Sequence, residues 1–103
     1  MKTAGSVLAL LVLLSAGPAC ADDDIDQDEA RRLLQAGKIQ PLSALLERHA
    51  QRLSGHLLDV ELEYDDDDRT PVYEIEVLGE DGVVREFDLN AATGAILKEE
   101  IED

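Results

Sequence analysis

The sequence predicts an α+β domain: one or two N-terminal helices packed on one face of a three- to four-stranded antiparallel meander sheet. Three observations predict it. Apolar residues recur at helical spacing as far as Leu53. From Leu57 onward the period changes to two, and turn-forming stretches rich in Gly and Asp separate the alternating runs. The chain has 103 residues, room for one small domain with a thin core.

The first 21 residues read as an export signal, with Lys2 ahead of the apolar run Val7 to Leu14 and small residues after it. Ala19-Cys20-Ala21 has the small-x-small form that signal peptidase accepts, which places the cut before Asp22. Acylation of Cys20 would favour Leu three residues upstream, where Gly17 stands. The expected organisation is a cleaved signal at 1–21, an acidic leader and helix entry at 22–28, and a single domain at 29–103. The expected location is periplasmic or secreted. Cys20 is the only cysteine and leaves with the signal, so the exported domain is expected to fold without a disulfide or thiolate metal site.

Net charge is −15, from 24 acidic against 9 basic residues, and losing Lys2 makes the domain more negative still. Such a field repels nucleic acid and anionic headgroups, so neither nucleic-acid binding nor stable membrane insertion after signal cleavage is expected. Cationic partners remain.

Asp26 can cap the first helix. Glu29 stands three residues on, as in a capping box, and Ile25 and Ala30 occupy the staple positions. Ala30, Leu33 and Leu34 form a narrow stripe that Gly37 ends. Pro41 suits the first position of a second helix, and Leu42, Leu45, Leu46, Ala50 and Leu53 repeat at helical spacing until Ser54-Gly55. His49 falls within this stripe. No Cys or well-spaced second His joins it, so it reads as a neutral imidazole hydrogen-bonded at the core margin rather than a metal ligand or base.

In the first strand Leu58, Val60, Leu62 and Tyr64 share one face, and Asp59, Glu61 and Glu63 the other. Pro71 starts the second strand, with Tyr73, Ile75 and Val77 inward and Glu74 and Glu76 outward. The third alternates Phe87 and Leu89 with Glu86 and Asp88. Parity settles the turn between them: a two-residue loop would set Ile75 across from a wet-face residue. A three-residue loop, Glu80-Asp81-Gly82 with Gly82 left-handed, pairs Gly79 with Val83, Ile75 with Phe87 and Tyr73 with Leu89. Arg85 falls near the turn and is expected to lean out around the edge. The expected core is Leu42, Leu45, Leu46, Leu53, Val60, Leu62, Tyr73, Ile75, Val77, Phe87 and Leu89.

The same register sets Glu76 opposite Glu86 and Glu74 opposite Asp88. With the first strand paired by simple meander, Glu61 and Glu63 join them in a grid of carboxylates, the candidate binding face. Like charges opposed across strands cost roughly 0.2–1 kcal/mol a pair, so a sheet built for stability alone would mix in lysines.

Asp65, Asp66, Asp67 and Asp68 raise the question of a calcium loop. EF-hand spacing from Asp65 puts Glu76 at the twelfth position, but Arg69 and Thr70 stand where an oxygen ligand and the invariant Gly belong. The run reads as a solvated hairpin loop, with weak cation binding as the functional alternative. No metal site, cofactor or catalytic residue is expected. The carboxylates sit on an open sheet rather than in an apolar pocket, and Ser43, Ser54 and His49 lack partners.

After the third strand comes "NAATGAIL", residues 90 to 97, a polar turn in which Gly94 can take positive φ and release a last short strand through Ile96 and Leu97. With "VYEIEVLGEDGVVREFDLN" ahead of it, the chain resembles a PepSY domain, whose motif is a Tyr-bearing strand, a Gly turn, another strand and Asp-Ala-x-Thr-Gly. The matching residues are Tyr73, Gly82, Ala91, Thr93 and Gly94. Asn90 replaces the usual Asp and keeps a side-chain acceptor for the turn. The resemblance implies that these residues are mainly architectural. It also implies kinship with the propeptides of secreted metallopeptidases and with stand-alone exported modules that bind, and in some cases inhibit, peptidases.

Two function classes follow. One is a non-catalytic exported binding module, a modulator or inhibitor of a secreted peptidase or an accessory to a sensing system, docking a strand edge or the acidic face on a basic protein. The other is a binder of cations or cationic peptides through the carboxylate grid and the aspartate loop.

Overall fold

The computed structural model describes residues 24–102. The export-signal reading of residues 1–21, Cys20 included, lies outside the described residues. Two helices, α1 (Gln27–Gln35) and α2 (Leu42–Arg48), precede four strands, β1 (His56–Tyr64), β2 (Pro71–Leu78), β3 (Val84–Asn90) and β4 (Ile96–Glu102). The strands form one antiparallel sheet in the order β1-β2-β3-β4, and leucines of both helices pack on one face of it.

Asp26 caps α1, its Oδ1 accepting the Glu29 N–H at 2.9 Å. The capping box is only half made, because the Glu29 carboxylate accepts the Tyr64 hydroxyl instead of turning back to the cap. At the other end Gly37 takes φ +73, with Lys38 N–H donating to Leu33 C=O and Gly37 N–H to Leu34 C=O, the bonding of a Schellman stop. Pro41 is the N-cap of α2 rather than its first helical residue. The helix ends at Arg48, sooner than the leucine spacing suggests, and the chain continues through turns that leave Ala50 exposed and Leu53 buried.

The β2–β3 register is the one parity requires: Ile75 opposite Phe87, Tyr73 opposite Leu89, Glu76 opposite Glu86 and Glu74 opposite Asp88. Gly79 N–H donates to Val83 C=O at 2.8 Å, and Gly82 takes φ +81. Along β1 one expectation fails. A bulge between Leu57 and Asp59 breaks the alternation, and Leu58 is 49% exposed rather than inward. Arg85 also departs from expectation. It stays on the helix face, its guanidinium reaching Asp81 Oδ2 at 3.1 Å and Glu99 Oε2 at 4.0 Å.

Every expected core residue lies in the central cluster or packs against it. Ile39 and Ala91 join that cluster, and Ile25 and Val72 are also buried. Val72 sits on the acidic side of the sheet, lining a cleft with Asp65, Asp66 and Leu97.

Candidate binding face

Antiparallel pairing stacks outward side chains into rows that cross the sheet. One row runs Asp59-Glu76-Glu86-Glu100, an acid on each strand; the next runs Glu61-Glu74-Asp88-Lys98. Glu63 lies beside them, opposite Val72, and Glu102 extends the face opposite Val84. All six proposed acids, Glu61, Glu63, Glu74, Glu76, Glu86 and Asp88, therefore stand on one face. Asp59, Glu100 and Glu102 enlarge it. Lys98 is the one lysine or arginine in these rows.

The crowding is tight enough to bring carboxylate oxygens of Glu74, Glu86 and Asp88 within 4.8 Å of one another, and likewise those of Asp24, Glu61 and Glu63. Glu74 is pushed up to about 8, first by burial and then by hydrogen bonding to Glu63 and the charges of Glu63 and Glu86. Burial is also the leading cause for the upward shifts of Glu61 and Asp88, and Lys98 partly offsets the second. Glu102 rises to about 7 chiefly through a hydrogen bond with Glu76. A carboxyl that keeps its proton can donate to a neighbouring carboxylate. Such a shared proton relieves part of the repulsion across the face.

The aspartate loop serves its own backbone. Asp65 Oδ1 accepts Asp67 N–H at 2.8 Å and Asp68 Oδ1 accepts Thr70 N–H at 3.1 Å. Arg69 takes φ 59 and lays its guanidinium 4.4 Å from the centre of the Tyr64 ring. Asp65 to Asp68 thus form a capped turn at one corner of the acidic face.

Opposite that face, the turn after β3 is gripped by the helices. Asn90 Oδ1 accepts the N–H groups of Ala92 and Thr93 at 2.8 and 3.0 Å, and Gly94, at φ +86, donates to Asn90 C=O at 2.7 Å. The turn's outward carbonyls are then all answered from the helical side. Gln40 N–H donates to Ala91 C=O, Gln40 Nε2 to Ala92, Arg48 Nη1 to Thr93 and His49 Nε2 to Gly94, at 2.7–2.8 Å. Tyr73 returns the contact, its hydroxyl donating to Gln40 C=O at 2.7 Å.

The profile of the PepSY family, described as "Peptidase propeptide and YPEB domain", matches residues 41–100, more than half the chain. The chain belongs to the PepSY family. Comparison with curated proteins and with solved structures gives no match.

PepSY domains are propeptide-like or inhibitor-like modules, generally non-catalytic, and typically extracellular or periplasmic. In this PepSY chain the motif residues Tyr73, Asn90, Ala91, Thr93 and Gly94 converge on the clamp between turn and helices, while Gly82 serves the β2–β3 hairpin. Gln40 and Arg48, which complete the clamp, carry no local sequence signal; their partners lie 45 to 52 residues away. Among the described residues no helix is long and apolar enough to cross a membrane.

Proposed function

We propose that this PepSY protein is a non-catalytic exported binding module that presents its acidic sheet face to a basic surface on a protein partner, a secreted peptidase being the partner the family suggests. The observation that supports this most is the run of acids across all four strands, in which repulsion is only partly relieved. Cross-strand repulsion lowers stability, and a lysine at any outward position would relieve it. A cationic partner gives that arrangement a use, steering association and neutralising the face on contact.

The test is to mix the purified protein with exported metallopeptidases and follow both complex formation and peptidase rate against salt. Binding that weakens with salt and with Glu76→Lys supports the reading; peptidases that neither bind nor slow overturn it. The triads Glu74-Glu86-Asp88 and Asp24-Glu61-Glu63 favour a second reading, loose binding of divalent cations. Calcium titration at fixed ionic strength separates the two, because only cation binding saturates without a protein partner.

A further inference from the structure

The two edges of the sheet differ. At the β1 edge the chain leading into α1 lies alongside: Asp24 bridges to Glu63, and Ile25 N–H donates to Leu62 C=O at 3.0 Å. β4, at the other edge, pairs only with β3 among the described residues. It is exposed from Leu97 to Glu102, and Leu97 and Ile101, at 53% and 61%, are the most exposed large hydrophobic residues described. Such an edge offers unpaired N–H and C=O groups to another strand.

Charge decides which strand fits. The row Asp59-Glu76-Glu86-Glu100 reaches β4 in an acid, and the row Glu61-Glu74-Asp88-Lys98 reaches it in a cation. Two copies meeting β4 to β4 run antiparallel about a two-fold axis perpendicular to the sheet. Their faces then align only when paired residue numbers sum to an even value. Centring the axis on Lys98 opposes two lysines and sets Leu97 against Glu99. Centring it on Glu100 opposes two acids and sets Glu99 against Ile101. Centring it on Glu99 sets Lys98 opposite Glu100 of the second copy, twice by symmetry. Of these registers, only the last matches unlike charges. Its central residue is already neutralised within each copy, because Glu99 is ion-paired with Arg52 and lies 4.0 Å from Arg85.

We infer that β4 is a self-complementary edge at which two copies of this chain join into one continuous sheet, in the register centred on Glu99. Each all-acid row then runs on into the lysine-terminated row of the other copy. The acidic faces align on one side and the helices on the other, which doubles the surface presented to a partner.

Sedimentation equilibrium of the purified exported protein, at or above physiological ionic strength so that net repulsion is screened, tests the inference. The wild type should show a monomer–dimer equilibrium. Lys98→Glu and Glu100→Lys should each weaken it roughly tenfold or more, since each opposes like charges at both symmetry-related pairs. Thermal melts of the variants check that each folds. Mixing the two variants in equal amounts should restore dimers, because each supplies the sign the other lacks. Relief of the pair within one chain, Lys98 with Glu100 at 3.3 Å, does not produce that rescue. A wild type that stays monomeric, a dimer indifferent to both reversals, or a mixture that fails to dimerise would each overturn the inference.

Discussion

Arg48 Nη1 lies 2.1 Å from the position a Cβ on Gly94 would occupy, and Leu45 Cδ2 lies 2.7 Å from it. The helix and the turn approach each other this closely because glycine leaves the space empty, and Gly94 also takes φ +86. Gly94→Ala must strain the backbone, at about 1–3 kcal/mol for a non-glycine residue there. It must also move Arg48 off the Thr93 carbonyl or Leu45 out of the core. The expected result is a urea midpoint lowered by more than the backbone term alone, with Arg48→Ala on the wild type giving a smaller loss.

Phe87 is 1% exposed and is the only phenylalanine in the chain. Phe87→Ala is expected to cost about 3–5 kcal/mol, the range for emptying a buried aromatic site in a core that cannot collapse around it. Asn90→Ala removes an acceptor for two turn N–H groups but leaves both near water, so about 1 kcal/mol is expected. Urea unfolding of both variants ranks them. An unchanged midpoint for Phe87→Ala would contradict the inward parity of β3.

Parity made the sheet legible in the sequence. Because Ile75, Phe87, Tyr73 and Leu89 must share a face, the hairpin loop length, the Gly82 conformation and the acid rows on β2 and β3 follow together. His49 was legible for a different reason. An imidazole in an apolar stripe with no metal-binding companions needs one hydrogen bond, and the Gly94 carbonyl supplies it. The bulge at Leu58 was hidden, since a leucine fits either face and nothing local marks the extra residue. β4 runs beyond Ile96 and Leu97 to Glu102, a length the sequence hides because Lys98-Glu99-Glu100 breaks the alternation and the second bulge falls between the Asp88 and Leu89 pairings. The sequence pattern shows the repulsion among the carboxylates, but burial contributes more to the Glu74 shift, and burial belongs to the folded sheet rather than to the pattern.

Glu76 stands between Asp59 and Glu86, an acid on either side. Glu76→Lys converts both cross-strand repulsions into attractions, worth roughly 0.2–1 kcal/mol each. Tm should rise by several degrees, on the scale of about 4–8 °C per kcal/mol for a domain of this size. Added salt should raise the wild-type Tm and change the variant less, because screening relieves a repulsion that the variant no longer has. Thermal melts at low and high salt read both effects. A variant that melts lower than the wild type would show that these acids are not opposed as the register sets them.

The raised carboxyl of Glu74 fixes the sign of the pH dependence. Its ordinary value is 4.5, and the folded sheet pushes it up to about 8. Below 4.5 the group is protonated folded or unfolded, and the stabilisation from its proton is fully present. As pH rises from there, the unfolded chain sheds the proton while the sheet keeps it, so the folded state binds more protons and stability falls with rising pH. The loss is complete once pH passes about 8. Glu61, Asp88 and Glu102 are shifted the same way and add to the slope. Asp68 and Asp81, held low by hydrogen bonds to Thr70 and Arg85, act in the opposite sense, at or below their ordinary 3.8 and so outside this window. Tm should therefore decline as pH rises from 4.5 to about 8. Glu74→Gln keeps a hydrogen-bond donor toward Glu63 and Glu86 but cannot titrate, so its Tm should decline less over the same range. A wild-type Tm that is level or rising across this window would mean that Glu74 does not keep its proton, and that the acidic face is already fully ionised before any partner arrives.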